Sequence, residues 1–383
     1  MSTPTFSGAD TAWMLISTVL VMLMTMPGII LFYSGMLRSK NALSIVAHTV
    51  IGAAVITIVW AAIGYSLAFT PGTAWIGDLS RVWSSGLVGA QVGAHPAAPT
   101  VPESVFFLFQ LSFAIITFAL ILGATAERMR VGVTFLFAAL WLVVVYAPVA
   151  HWVWQPGGVL ASIGHMDFAG GTVVHIASGA SALAAAWLLG PRRGFGKEPM
   201  VPHNLLITVL GAGLLWAGWF GFNAGSAFEA GTRAAGALLA TQVAACCGAV
   251  VWGLAENIKR GQWSVLGTMT GAIAGLLCFG AVVHFKKLTR IDDSLDVFAL
   301  HGIGGLVGTV LTPVFADAAI APVTSTVWTN LLGGLGVMVY AGFMTLMILK
   351  LISFFVPLRV GEAEEKVGLD VAQHGEMLAP NAN

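Results

Sequence analysis

Two histidines stand where ionisable side chains are costly. His175 lies in Gly171-Thr-Val-Val-His175-Ile-Ala-Ser-Gly179 and His301 in Asp296-Val-Phe-Ala-Leu-His301-Gly-Ile-Gly-Gly305, both apolar and glycine-rich. A neutral imidazole carries one donor and one acceptor nitrogen. Rings so placed serve either as hydrogen-bonded packing residues or as parts of a polar pathway, the default reading of an ionisable group inside a bilayer. His48 and His284 also fall in apolar runs, but each is close to a basic end.

The elements that carry these residues follow from composition. The chain has 383 residues, of which 17 are Lys or Arg and 17 Asp or Glu, so 9% are charged against roughly 25% in a soluble protein. With 57% hydrophobic residues and a mean hydropathy of +0.89, too little polar surface exists to cover a globule of this size. A soluble enzyme and a disordered chain are both excluded. Zero net charge removes the electrostatic footprint that nucleic-acid binding needs. Cys246, Cys247 and Cys278 all sit in apolar stretches and give no disulfide framework. Ten uncharged runs, 11–37, 41–77, 104–126, 131–166, 168–191, 199–228, 234–255, 261–285, 297–316 and 318–349, can each hold the ~20 apolar residues of a bilayer-spanning helix. The run 82–102 carries Pro96, Pro99 and Pro102 and reads as a loop. Continuously apolar runs exclude a β-barrel, and the residues before Trp13 lack the basic start of a signal peptide. The fold class is an all-α integral membrane bundle.

Basic residues mark the cytoplasmic side. Arg38/Lys40, Arg128/Arg130, Arg192/Arg193/Lys197 and Lys259/Arg260 follow the first, third, fifth and seventh helices, which places the N-terminus outside. Lys286/Lys287/Arg290 then break the alternation: they should share a side with Lys259/Arg260, yet 261–285 is about 37 Å as a helix, enough for one crossing and too short for two. Length favours a single continuous helix that overrides the charges. Only a re-entrant turn broken around Gly271 or Gly275 and shielded from lipid satisfies both constraints, and it also returns the C-terminus to the cytoplasm. Gly271/Gly275 and Gly304/Gly308 are spaced for close helix approach.

Several segments, in order over nearly the whole chain, resemble the ammonium transporters of the Amt/Mep/Rh family, of bacterial type. They are Pro27-Gly-Ile-Ile-Leu-Phe-Tyr33-Ser-Gly35, Phe109-Gln-Leu-Ser-Phe113, Gly123-Ala-Thr-Ala-Glu127-Arg128, Pro148-Val-Ala-His-Trp-Val-Trp154, Asp167-Phe-Ala-Gly-Gly-Thr-Val-Val-His175, Gly218-Trp219-Phe-Gly-Phe222-Asn223-Ala-Gly-Ser226, and Asp292-Asp-Ser-Leu-Asp296-Val-Phe-Ala-Leu-His301. The resemblance implies a homotrimer in the cytoplasmic (inner) membrane with one pore per protomer, built from two inverted five-helix halves plus an eleventh helix. It implies transport of ammonium, ammonia and methylammonium across the lipid bilayer, with no cofactor, no metal and no enzymatic reaction.

Residue by residue, the resemblance makes Trp154, Phe113 and Ser226 the outer ammonium site, where a cation rests on aromatic faces and hydrogen-bonds to the hydroxyl. Phe113 and Phe222 become a stacked gate, His175, His301, Trp219 and Tyr33 line the pore, and Asp167, Asn223 and Asp296 give structural support. Singly, each aromatic also reads as a lipid-facing or interfacial side chain, and Asp167 as a helix cap. Paired histidines have a rival use as metal ligands, disfavoured here because no Cys or carboxylate accompanies them on the pore side. In the pore reading, ammonium loses its proton near the gate, ammonia diffuses past the rings, and the proton follows along the histidines.

The resemblance divides the chain into a membrane domain, 1–355, and a cytoplasmic regulatory tail, 356–383, that packs under the trimer. A PII-type signalling protein is the implied partner on that face, and the plain alternative is a solvated acidic tail. Family members carry two helices between the seventh and the one bearing the second histidine, whereas here Gly271-Ala-Ile-Ala-Gly-Leu276 runs straight into Leu277-Cys-Phe-Gly. About one helix plus a loop is missing. An inverted repeat needs antiparallel histidine helices, and ten alternating helices would make them parallel. The alternatives are a re-entrant hairpin, a shortened non-conducting paralogue or ammonium sensor, or an altered sequence.

Overall fold

The structure is a computed structural model that describes residues 5–89, 92–318 and 325–378. Residues 319–324 of the last apolar run and 379–383 of the tail lie outside the described residues. Among the described residues nine helices are long and apolar enough to cross a membrane. In chain order they are α1 (Gly8–Met36), α2 (Ser39–Phe69), α3 (Glu103–Thr125), α4 (Val131–Ser162), α5 (Gly171–Leu189), α6 (Leu205–Gly225) and α7 (Thr232–Arg260), then, after a bent helix α8, α9 (Phe298–Phe315) and α10 (Val327–Ser353). A helix apolar all round belongs in a core, and α3 is that helix: only Ser104 and Leu108 of its 23 residues escape burial. The stretch 82–102 is mostly loop but contains a short hairpin, β1 (Ala94–His95) with β2 (Ala98–Pro102).

The eighth run is where sequence and structure meet hardest. Helix α8 (Val265–Thr289) breaks at Gly275, whose φ of 71° suits a residue without a side chain. Its halves, Val265–Gly275 and Leu277–Thr289, are bent by 109°. The single continuous helix that length favoured is therefore not what forms. Gly271, the other candidate for the break, stays helical and packs tightly on Gly248 of α7.

Contacts show that α8 folds back to its starting face. Lys286 pairs with Asp296 at 3.0 Å, and Asp292 just before α9 takes Arg192 from the end of α5 at 2.8 Å. Glu127, after α3, accepts from the Arg38 backbone N–H and guanidinium and lies 3.5 Å from Arg192. Arg128, fully buried, donates to the Asp292 carbonyl and the Ser294 hydroxyl. The ends of α1, α3, α5 and the start of α9 thus share one basic face, joined by side chains almost entirely out of water. Burial opposes ionisation of Glu127 and Asp292, but the facing arginines outweigh it and hold both carboxyls below their usual range.

The tail docks on this face and is not a free acidic strand. A short helix α11 (Glu362–Val367) is followed by Asp370, whose carboxylate accepts the Leu43 and Ser44 N–H groups at 3.0 and 2.7 Å. Lys40 donates to the Glu365 and Lys366 carbonyls, and Glu365 takes Arg359 and the Arg193 N–H.

Two outcomes follow. Single cysteines at positions 262 and 288 in a Cys-free background should label with an impermeant maleimide from the same side of sealed cells, and labelling from opposite sides would mean that α8 crosses. Glu127→Gln leaves buried arginines uncompensated and should cost about 3–5 kcal/mol in thermal unfolding. Because the Glu127 and Asp292 pKa values are lowered by folding, their stabilisation is present above the ordinary carboxylate range and disappears as the pH falls through it. The variant should therefore lose less stability on acidification than the parent.

Candidate functional site

Each histidine sits in a π-helical turn at the start of its span, Gly171–Ile176 for His175 and Phe298–Ile303 for His301. Such turns widen the helix locally and are frequent at functional sites. Asp167 forms the entry to α5: its two oxygens accept the N–H groups of Gly170, Gly171, Thr172 and Val173 at 2.6–2.9 Å. The helix-cap reading of Asp167 holds, and its support of the outer aromatics is equally direct, because its carbonyl receives the Trp154 indole N–H at 3.0 Å. Asp293 does the same for α9, accepting the Phe298 N–H at 2.7 Å. Both aspartates precede their histidine by eight residues. Asp296, expected to give structural support, pairs with Lys286 at 3.0 Å, and burial pushes its carboxyl up to about 6. Sequence reasoning did not single out Asp293, for which the shared eight-residue spacing was the signal.

Helices α5 and α9 cross antiparallel. Gly179 lies against Gly302, Gly305 against His175, and Gly171 against Thr309, so position numbers fall on one helix as they rise on the other. A side chain on Gly179 would collide with the Gly302 backbone. This approach puts the two imidazoles 5.2 Å apart between centroids, near-parallel at 6°, with Nδ1 to Nδ1 at 3.0 Å. One ring must donate and the other accept, so the pair holds one proton between its Nδ1 atoms. The glycine pair Gly304/Gly308 plays a different part from the one its spacing suggested, because Gly308 faces open space.

Two cavities of about 210 Å³ each adjoin through the Phe113 and Phe222 rings. Tyr33, Trp219, Phe222 and both histidines line the inner one; Phe113, Trp154, Asp167 and Ser226 line the outer one. Between them Phe113 stacks on Phe222, centroids 4.2 Å apart at 21°. Trp154 stands edge-on to Phe113 at 5.7 Å. The Ser226 hydroxyl donates to the Phe222 carbonyl at 2.8 Å, which leaves its lone pairs to accept from a guest. Asn223 stands aside from both cavities and donates to Thr241 at 2.8 Å, tying α6 to α7. Sequence reasoning missed Gln110, whose buried Oε1 lacks a partner among the described residues while the side chain lines the outer cavity. It also missed Arg233, a cation on that cavity's wall 3.5 Å from Glu229. Among the described residues no cluster of three or more His, Cys, Asp or Glu is arranged to hold a metal ion.

Multi-pass apolar helices around two adjoining cavities define a helical membrane protein of channel type. The Ammonium Transporter Family model matches residues 12–279 and 270–379, and the chain belongs to that family. It is 42% identical to an ammonium transporter of Bacillus subtilis, covering 96% of this chain and 97% of the relative. It is 39% identical to an ammonium transporter of Archaeoglobus fulgidus, covering 97% and 99%. The crystal structure of Candida albicans Mep2 superposes with a TM-score of 0.87 at 36% identity, covering 97% of this chain and 90% of that one. The two pieces of the family match overlap at 270–279, the decapeptide that contains Gly275. One stretch therefore answers to two family segments, and the 400 positions aligned with the Bacillus relative exceed the 383 residues of this chain. The relative holds residues that this chain lacks, and the overlap of the two family segments falls at the bend.

In the parent, ¹⁵N-histidine NMR should show one of the two rings protonated at Nδ1 and its neighbour unprotonated there. Gly302→Val, which overfills the crossing at a cost of about 1–3 kcal/mol, should abolish that pairing while Gly308→Ala preserves it.

Proposed function

We propose that this chain conducts ammonium as ammonia plus a proton across the cytoplasmic membrane, with the basic face and the tail inside and the N-terminus outside. The observation that carries the reading is a succession of contacts: outer cavity, stacked phenyl pair, inner cavity with two hydrogen-bonded histidines. The family membership and the names of the relatives support the same substrate.

In the outer cavity, ammonium rests against Trp154 and Phe113 and donates to Ser226. A desolvated cation–π contact contributes about 2 kcal/mol, which suits weak, reversible capture. Asp167 holds Trp154 and the entry of α5 in place. Bare ammonium cannot enter the apolar passage beyond Phe113 without a large desolvation cost. Splitting it lowers that cost: neutral ammonia moves between Phe113 and Phe222 past Trp219 and Tyr33, and His175 and His301 pass the proton between ring nitrogens. K⁺ has no proton to surrender and is rejected. Methylammonium, which can also give up a proton, follows the same route if it fits the gate. Each protomer holds its own pair of cavities, as a homotrimer with one pore per chain requires. The tail, locked to the basic face through Asp370 and Glu365, is the surface that a PII-type protein would meet.

Proteoliposome currents and methylammonium uptake test this. His175→Ala or His301→Ala should abolish flux or admit K⁺ while the protein stays folded, and parent-like selectivity in both would sink the proton path. Ser226→Ala should weaken apparent ammonium affinity by about 1.5–3 kcal/mol, the worth of a hydrogen bond to a charged partner. An unchanged affinity would move the capture site elsewhere.

A further inference from the structure

The half-length of α8 leaves one wall of the inner cavity unbuilt. Helix α7 has 29 residues and spans the membrane, ending at Lys259 and Arg260. The first half of α8 leaves that same face and stops after 11 residues, about 16 Å, near the middle of a hydrocarbon core of about 30 Å. Beyond Gly275 the second half of α8 turns back, with Phe279 packing on Trp252 and under Lys259, so nothing of α8 continues along the far half of α7. Leu239 and Val243 on the far half of α7 are 66% and 53% exposed, and Leu277 at the bend is 63% exposed.

This gap borders the histidine cavity. Thr270, Ile273 and Ala274, in the last turns before the break, line it, and so do Trp219 of α6 and Gly308 of α9. A side chain on Gly308 or Gly275 would meet no atom within 4 Å. Both histidines keep part of their surface open to the cavity although they lie at mid-membrane. At this depth the surrounding medium is hydrocarbon, and a mouth rimmed by Ile273, Ala274 and Gly308 offers it no polar cost.

We propose that the inner cavity opens sideways above the α8 bend, and that an acyl chain of a membrane phospholipid occupies the opening and completes the wall. The lipid site stands on geometry alone; the role of the cavity it borders rests on the conduction reading above.

The test is photolabelling in proteoliposomes of phosphatidylcholine that carries a diazirine midway along one acyl chain, with adducts mapped by mass spectrometry. Adducts on Trp219, Thr270 or Gly308, together with outward-facing residues such as Val339, are the expected result. Adducts confined to outward-facing positions would overturn the proposal. Gly308→Trp, which fills the mouth, should reduce cavity adducts several-fold while Val339 labelling is unchanged; if that variant does not fold, Ala274→Phe closes the same mouth. Efficient cross-linking between protomers through cysteines placed at 239 and 311 would assign the gap to a second copy of the chain and also overturn it. Transport is scored separately. Cavity adducts in a protein that moves no ammonium would leave the lipid site standing and sink the conduction reading, whereas transport without cavity adducts would do the reverse.

Discussion

The His175–His301 hydrogen bond depends on two helices that enter the membrane from opposite faces, because only an antiparallel crossing pairs Gly179 with Gly302 and Gly171 with Thr309. Everything between α5 and α9 must therefore return the chain to the basic face. Helices α6 and α7 do so as a pair, and α8 preserves the parity by not crossing. The left-handed conformation at Gly275 makes that possible at one residue, but it interrupts the backbone ladder inside hydrocarbon, where unsatisfied N–H and C=O groups cost several kcal/mol. The tight Gly248–Gly271 contact holds the first half of α8 against α7 and shields one side of the break.

The basic face shows how charge is used when little of it is available. Arg38, Glu127, Arg192, Asp292 and Arg128 come from the basic-face ends of different spans and are bonded to one another, all but Arg38 with almost no access to water. Such groups contribute less net stability than their Coulomb energy suggests, since desolvation offsets most of it. Their effect is on geometry: a shift of α5 relative to α9 would strand a buried charge. The two aspartate caps work in the same sense at either end. Asp167 fixes the start of α5 and, through its carbonyl, Trp154; Asp293 fixes the start of α9. The histidines inherit their positions from charges eight residues away.

Much of this was legible in the chain. Low charge and long apolar runs gave the membrane bundle, and the five basic clusters located the loops, including the conflict at Lys286 that a count of helices alone would have concealed. The motifs named Trp154, Phe113, Ser226, Phe222 and both histidines, and these residues do converge on two adjoining cavities. Asp293 was not singled out as the cap of α9, because a motif read as a string does not say which of three aspartates faces the helix start. Gln110 and Arg233 carried no signal, since a buried Gln in an apolar run and an arginine between two apolar runs acquire meaning only from what lies across the cavity.

Composition and spacing determined the class of protein, the number of apolar runs and the residue types available for proton chemistry, because hydropathy and charge act locally along the chain. Whether α8 crosses, which glycine breaks it, and whether His175 meets His301 were decided only in three dimensions. Gly271 and Gly275 are alike in sequence, and the one that packs against Gly248 stays helical while the one facing open space turns. Contacts made by partners distant in the chain select between local conformations that the sequence permits equally.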